Sequence, residues 1–196
     1  MARMMSASAK DYLETMGQLC QTLDYGAIDA LADRLLQTWR DNQQVFVFGN
    51  GGSACTAGHF IIELVMTAGV GGSRGLRAFA LPDNVGMLTA LANDFSYEEI
   101  FHYPLASYGQ PGDIALAISG SGNSPNVLKA AHLAKQRGLV LVALTGFDGG
   151  ELKNLADLHI NVPNDNYGII EDLHMSIGHI LGQRLNRAIV AESQLG

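Results

Sequence analysis

His59 and Glu63 stand four residues apart just beyond a glycine-rich stretch, and Glu171 and His179 stand eight apart near the end of the 196-residue chain. On a helix the first spacing puts an imidazole and a carboxylate on one face, a pairing suited to proton transfer. Eight residues turn the second pair ~80° apart at ~100° per residue, so both side chains can meet one ligand from different turns. His174 lies ~140° from His179 on the same count and is expected to point elsewhere. Each pair also has an ordinary explanation, as a surface contact at i, i+4 or a hydrogen-bonded helical histidine.

Groups that move protons need a held substrate, and two stretches offer the grip. Val45-Phe-Val-Phe48 is apolar without alternation, as expected of a parallel strand covered on both faces. Gly49-Asn50-Gly51-Gly52-Ser53 then turns into a helix, with Ser53 expected at the N-cap and free amides facing any anion. A second strand, Asp113 to Ile118, leads into Ser119-Gly-Ser121-Gly-Asn-Ser124, whose amides and hydroxyls can ring a phosphate. Pro125 suits the first turn of the helix that follows. Neither loop has the Gly-Lys-Ser/Thr of a triphosphate site or the Gly-x-Gly-x-x-Gly of a dinucleotide site, so no nucleotide cofactor is expected. A neutral cradle suits a reversibly bound monophosphate, although turn chemistry alone also favours Ser and Gly.

The elements that carry these residues alternate. Two helices are expected over about 7 to 42, with apolar Leu13, Met16, Leu19 and Cys20, then Ile28, Leu31, Leu35 and Trp39, parted near Gly26. They can flank the sheet or pair with another subunit, and their apolar density favours association. Strands are expected at 45–48, 77–81, 113–118, 139–144 and 158–162. Helices are expected at 53–67, 84–92, 97–108, 126–137, 150–156 and 168–191, the last burying Ile170, Leu173, Ile177, Ile180 and Leu181. Strands separated by helices predict a mostly parallel sheet wrapped on both faces.

Composition narrows the class further. Length, 47% hydrophobic residues and 16% charged residues fit one compact domain. A net charge of -7, with scattered Lys and Arg, argues against a nucleic-acid surface. No apolar run is long enough to span a bilayer and the first residues, Met-Ala-Arg-Met-Met-Ser, lack a signal-peptide core, so a cytoplasmic protein is expected. Cys20 and Cys55 form no metal or disulfide pattern and read as small buried residues.

In order along the chain, Gly49-Asn-Gly-Gly-Ser53 with His59 and Glu63, Asn93-Asp94, Ile118-Ser-Gly-Ser-Gly-Asn-Ser124, Leu144-Thr-Gly146 with Asp148-Gly-Gly150, and the last helix with His179 resemble the sugar isomerase (SIS) domain superfamily. The similarity is greatest to its phosphoheptose isomerase branch and covers essentially the whole chain. It implies a flavodoxin-like three-layer sandwich around a five-stranded parallel sheet, one domain over 1–196, and a homotetramer that uses the helices of 1–42. The implied reaction converts sedoheptulose 7-phosphate to D-glycero-D-manno-heptopyranose 7-phosphate, toward lipopolysaccharide or other heptose products. Glu63 and His179 would be the acid/base pair. Ser53, Ser119, Ser121 and Ser124 would hold the phosphate, and Asn50, Gly51, Gly52, Asp94 and Glu171 would line the rest of the substrate site. Some members bind zinc, for which His59, Glu63, Glu171 and His179 offer two imidazoles and two carboxylates.

Three positions depart from that branch, which commonly has Gln at the place of Glu171, Asp at Gly168 and Arg at Thr67. Arg74 or Arg77 is a candidate replacement for the missing cation. Isomerisation of a different phosphosugar is therefore an alternative. A non-catalytic SIS protein that binds a replication initiator is another, disfavoured because such a binder has no need of Glu63 and His179. A phosphosugar-sensing regulator is a third, with no DNA-binding segment attached.

Overall fold

The computed structural model describes residues 8–71 and 74–194. The expected start of the first helix at residue 7, and the first six residues, lie outside them. Helices α1 (Ala9–Cys20) and α2 (Tyr25–Arg40) begin on the side-chain caps Ser8 and Asp24, which accept from the amides of Asp11 and Ala27. Five strands follow: β1 (Gln44–Gly49), β2 (Arg77–Ala80), β3 (Ile114–Ser119), β4 (Val140–Gly146) and β5 (Leu158–Val162). Between and after them run α3 (Gly52–Ile61), α4 (Val85–Asp94), α5 (Glu99–Tyr108), α6 (Pro125–Gln136), α7 (Leu152–Leu155) and α8 (Tyr167–Ser193).

The strands form one sheet in the order β2-β1-β3-β4-β5, and every pair is parallel. Residues of a strand alternate between two packed faces, which explains the unbroken apolar runs. Val45, Val47, Leu116 and Leu144 face α2, α3 and α8, whereas Phe46, Phe48, Ala117 and Ala143 face α4, α5, α6 and α7. This is the three-layer architecture that the sequence led us to expect. In this strand order the chain reverses direction between β1 and β3, and ligands of such sheets bind where the two diverging loops leave a crevice. Gly49 pairs with Ile118 across that boundary, and a Cβ on Gly49 would lie 2.5 Å from the Ile118 carbonyl oxygen. Glycine there lets both loops leave the sheet side by side.

Several local expectations are corrected. Residues 62–67 do not continue α3 as an α-helix but form a π-helical turn, in which Ala68 N–H donates to the Glu63 carbonyl at 3.0 Å. The approach to β2 accounts for it: Leu76 N–H donates to the Leu64 carbonyl at 2.9 Å, and a Cβ on Gly75 would meet the Val65 oxygen at 2.0 Å. Cys20 and Cys55 are exposed rather than buried. Ile180 is 41% exposed and so departs from the buried stripe of α8. Helix α2 buries Ile28, Leu31 and Leu35 within its own chain, while α1 buries no residue fully and leaves Leu13 outward.

Candidate active site

The N-cap of α3 lies two residues before its serine: Gly51, at φ +55°, takes that place, and Ser53 sits buried in the first turn rather than capping it. Ser124 is the N-cap of α6, and its hydroxyl makes no capping bond. It lies 3.4 Å from the Ser119 hydroxyl. Ser53, Ser119, Ser121 and Ser124, with Asn50, Tyr167 and Glu171, line a cavity of about 120 Å³ between the two loops. Among the described residues no Lys or Arg lines it, so an anion there would be held by hydroxyls, amides and helix N-termini. A larger hollow of about 550 Å³ lies elsewhere, walled by Phe46, Phe79, Leu81 and Met87 beside edge strand β2. Among the described residues its lining has no histidine or carboxylate, whereas Glu171 lines the smaller one.

The structure brings Glu63 and His179 together across 116 residues of sequence. His179 Nδ1–H donates to Glu63 Oε1 at 2.9 Å. His59 is one turn before Glu63, and its Nε2 lies 3.4 Å from the same oxygen. The Glu63 side chain is 8% exposed and that of His179 48%, so the carboxylate is sheltered while the imidazole borders solvent. Two glycines of α8 make the contact. A Cβ on Gly178 would strike the Phe60 ring at 2.8 Å, and one on Gly182 would lie 2.3 Å from Glu63 Oε2. Gly182 is a notch that seats the carboxylate.

One ligand atom each from His59, Glu63 and His179 lies within 4.8 Å of the others, so this trio has the spacing to hold a metal ion. His59 Nε2 is buried and makes no hydrogen bond, which is the state of a ring nitrogen awaiting a cation. Glu171 is outside this group. Its carboxylate instead covers Gly52, where a Cβ would fall 2.2 Å from Oε2, and burial followed by the charge of Asp172 pushes its pKa up.

Other expected residues are placed as follows. Asp94 ends α4 in an exposed position and accepts from Asn93 Nδ2 at 2.8 Å, and it is not among the residues that line the serine cavity. Arg74 donates to the Trp39 carbonyl and stacks on that ring, and Arg77 donates to the Asn42 carbonyl. Neither lines the site. His174 is fully buried, with Nε2–H donating to the Thr145 carbonyl at 3.0 Å, and burial drives its pKa down to about 4. It is a neutral core residue, as its angle from His179 had suggested. Sequence reasoning missed Asn126 and Tyr97, which contact Asn50, and Gly182. A glycine inside a long helix was a usable signal for Gly182.

Comparisons with known proteins point to one family. The pattern describing the SIS domain matches residues 11–146. The phosphoheptose isomerase of Mycobacterium tuberculosis is 41% identical over 86% of this chain and 85% of its own length. That of Paramagnetospirillum magneticum is 45% identical over 70% of this chain and 71% of its own. The solved structure of a phosphoheptose isomerase from Francisella tularensis superposes with a TM-score of 0.84 at 31% identity, over 91% of this chain and 96% of that one.

Proposed function

We infer, from a chain that belongs to the SIS domain family and within it to the phosphoheptose isomerases, a ketose–aldose isomerase that interconverts sedoheptulose 7-phosphate and D-glycero-D-manno-heptopyranose 7-phosphate. The observation that carries this is the 2.9 Å contact of His179 with Glu63, made between α8 and the helical run that continues α3, the same two helices that send Glu171 and Ser53 into the serine-lined cavity. With the phosphate among Ser53, Ser119, Ser121 and Ser124, the sugar carbon chain extends toward Glu63. Glu63 takes the proton from C1 of the open ketose, and the electron pair moves into a C1–C2 double bond as O2 gains a proton from His179. The enediol then loses its O1 proton and regains one at C2, which gives the aldehyde. The buried carboxylate suits carbon deprotonation, and the half-exposed imidazole suits exchange with oxygens.

His59, Glu63 and His179 fit a divalent ion, and zinc is the one that two imidazoles and a carboxylate suit best. Bound there, it would supply Lewis acidity toward a substrate oxygen. Metal analysis of protein purified without chelators tests this part, and less than about 0.1 ion per chain would remove it.

Ile62, Val65, Met66 and Ile180 are exposed on the helices that carry the trio, and Val70 on the turn that follows. An apolar rim around a catalytic group supports cover by another copy, in a homotetramer that also uses the helices of 1–42. No helix among the described residues is long and apolar enough to cross a membrane, and a cytoplasmic enzyme of heptose biosynthesis, supplying lipopolysaccharide or related glycans, is the setting we assign.

A different phosphosugar is the second reading. Tyr12 favours it: a Cβ on Gly168 would lie 3.0 Å from the Tyr12 hydroxyl, which stands where the expected Asp would begin. Turnover of sedoheptulose 7-phosphate in deuterated water tests both, with wild type, Glu63→Gln and His179→Ala compared. Equal residual rates in all three would reject the pair. Turnover of another ketose phosphate alone would favour the second reading.

A further inference from the structure

Asn50 and Asn126 tie the two substrate loops together. Asn50 Nδ2 donates to Asn126 Oδ1 at 2.9 Å, and Asn126 Nδ2 donates to Asn50 Oδ1 at 2.8 Å. A reciprocal amide pair by itself looks the same when both groups are turned over. One further donor breaks the tie. The backbone N–H of Val127 meets Asn126 Oδ1 at 3.0 Å, and a main-chain N–H can only donate. Asn126 Oδ1 is thereby fixed as an acceptor, Asn126 Nδ2 as the donor to Asn50, and Asn50 Oδ1 as the receiver. The Tyr97 hydroxyl brings a second hydrogen to Asn50 Oδ1 at 3.0 Å, which fills both lone pairs of that oxygen.

Only one group of the Asn50 amide is then uncommitted. Its second Nδ2–H has no partner among the described residues, on a side chain that lines the serine cavity. We propose that Asn126 and Tyr97 are positioning residues that hold Asn50 as a one-way hydrogen-bond donor toward an acceptor oxygen of the bound phosphosugar. This rests on the isomerase reading above. A carbonyl or phosphate oxygen matches such a donor, whereas a group that can only donate would be refused. The two positioning residues differ in setting: Asn126 is 2% exposed in the first turn of α6, and Tyr97 is 55% exposed on the connection from α4 to α5.

A double-mutant cycle separates positioning from general support of the loops. Asn50→Ala and Asn126→Ala are each expected to lower kcat/KM about 10-fold, mainly through KM, and Tyr97→Phe about 3-fold, as fits loss of one or part of one hydrogen bond to a polar substrate. The double variant Asn50→Ala/Asn126→Ala should lose no more than Asn50→Ala alone. Losses that multiply would show that Asn126 acts independently and overturn the proposal. So would wild-type kinetics in Tyr97→Phe, a variant at an exposed residue that keeps the fold even if Asn126→Ala does not. A second readout needs no turnover. In the ¹⁵N spectrum of the wild type, one Asn50 side-chain hydrogen is expected to exchange slowly with solvent, and Tyr97→Phe should shift that resonance. Equal, fast exchange of both hydrogens would sink the pairing directly, whereas absence of ketose phosphate turnover by the wild type would fall on the isomerase assignment.

Discussion

The two ends of the site are built on different plans. The proposed phosphate end is lined by four serines on two loops and the helix starts that follow them, pinned by strand register and by an amide pair, around a cavity of about 120 Å³. The proton-transfer end is open on one flank, where a half-exposed His179 and a sheltered Glu63 lie among outward-facing Ile62, Val65, Met66 and Ile180. Recognition of a phosphate needs only rigid neutral donors, which a sheet and two helix starts provide. Acid/base chemistry needs groups whose surroundings change once substrate and any neighbouring copy arrive. The serine lining of the first end comes from two loops of one chain, and the second leaves an imidazole half-exposed beside apolar side chains.

The contrast predicts different kinetic losses at the two ends. Glu63→Gln should lower kcat by about 10³-fold and His179→Ala by about 10²-fold, with KM little changed, since acid/base groups contribute on the order of 10²–10⁴. Equal effects on KM and kcat would show that the proton-transfer end also binds. Ser119→Ala or Ser121→Ala should instead raise KM about 10-fold with kcat within about 3-fold, the cost of a hydrogen bond to a charged group. Steady-state kinetics on the four variants decide whether the division holds.

Gly182→Ala sharpens it from the side of stability. The new Cβ would displace Glu63 Oε2, so kcat is expected to fall about 10-fold. Alanine in a helix interior is favoured over glycine by about 1 kcal/mol, so the melting temperature should hold or rise. A variant that lost both would refute the notch. The smallest effect concerns His174. Its folded-state pKa of about 4 lies below the ordinary 6.5, so its contribution to stability is whole above pH 6.5 and is lost as pH falls through about 4. Between pH 7.5 and 5 this amounts to about 2 kcal/mol. Urea midpoints at both pH values, compared with His174→Gln, isolate it from Glu171, whose raised pKa acts in the opposite sense.

Much of this was legible in the residues. Strands covered on both faces leave continuous apolar runs, so β1, β3 and β4 were plain, and the glycine and serine loops followed from them. The i, i+4 pairing of His59 and Glu63 is kept although Glu63 lies within the π-helical turn, their side chains meeting at 3.4 Å. What was hidden depends on contacts between distant segments. The Gly182 notch exists only because α8 crosses α3, Asn126 matters only because β1 and β3 are neighbours, and the wide turn at 62–67 answers to the Leu76 amide. Side-chain type alone likewise gave Cys55 and Ile180 the wrong surroundings, since exposure was decided by which face the neighbouring helix left bare.

The widened turn also acts as a phase shifter. An added residue in a helix offsets everything downstream by ~100° of azimuth relative to everything upstream. Glu63, near the start of that turn, looks inward at α8, while Met66, near its end, faces outward. One continuous rod therefore presents two directions, the Glu63 carboxylate on one bearing and an apolar outer face on the other, and deleting a single residue from 64–66 would swing one out of register with the other.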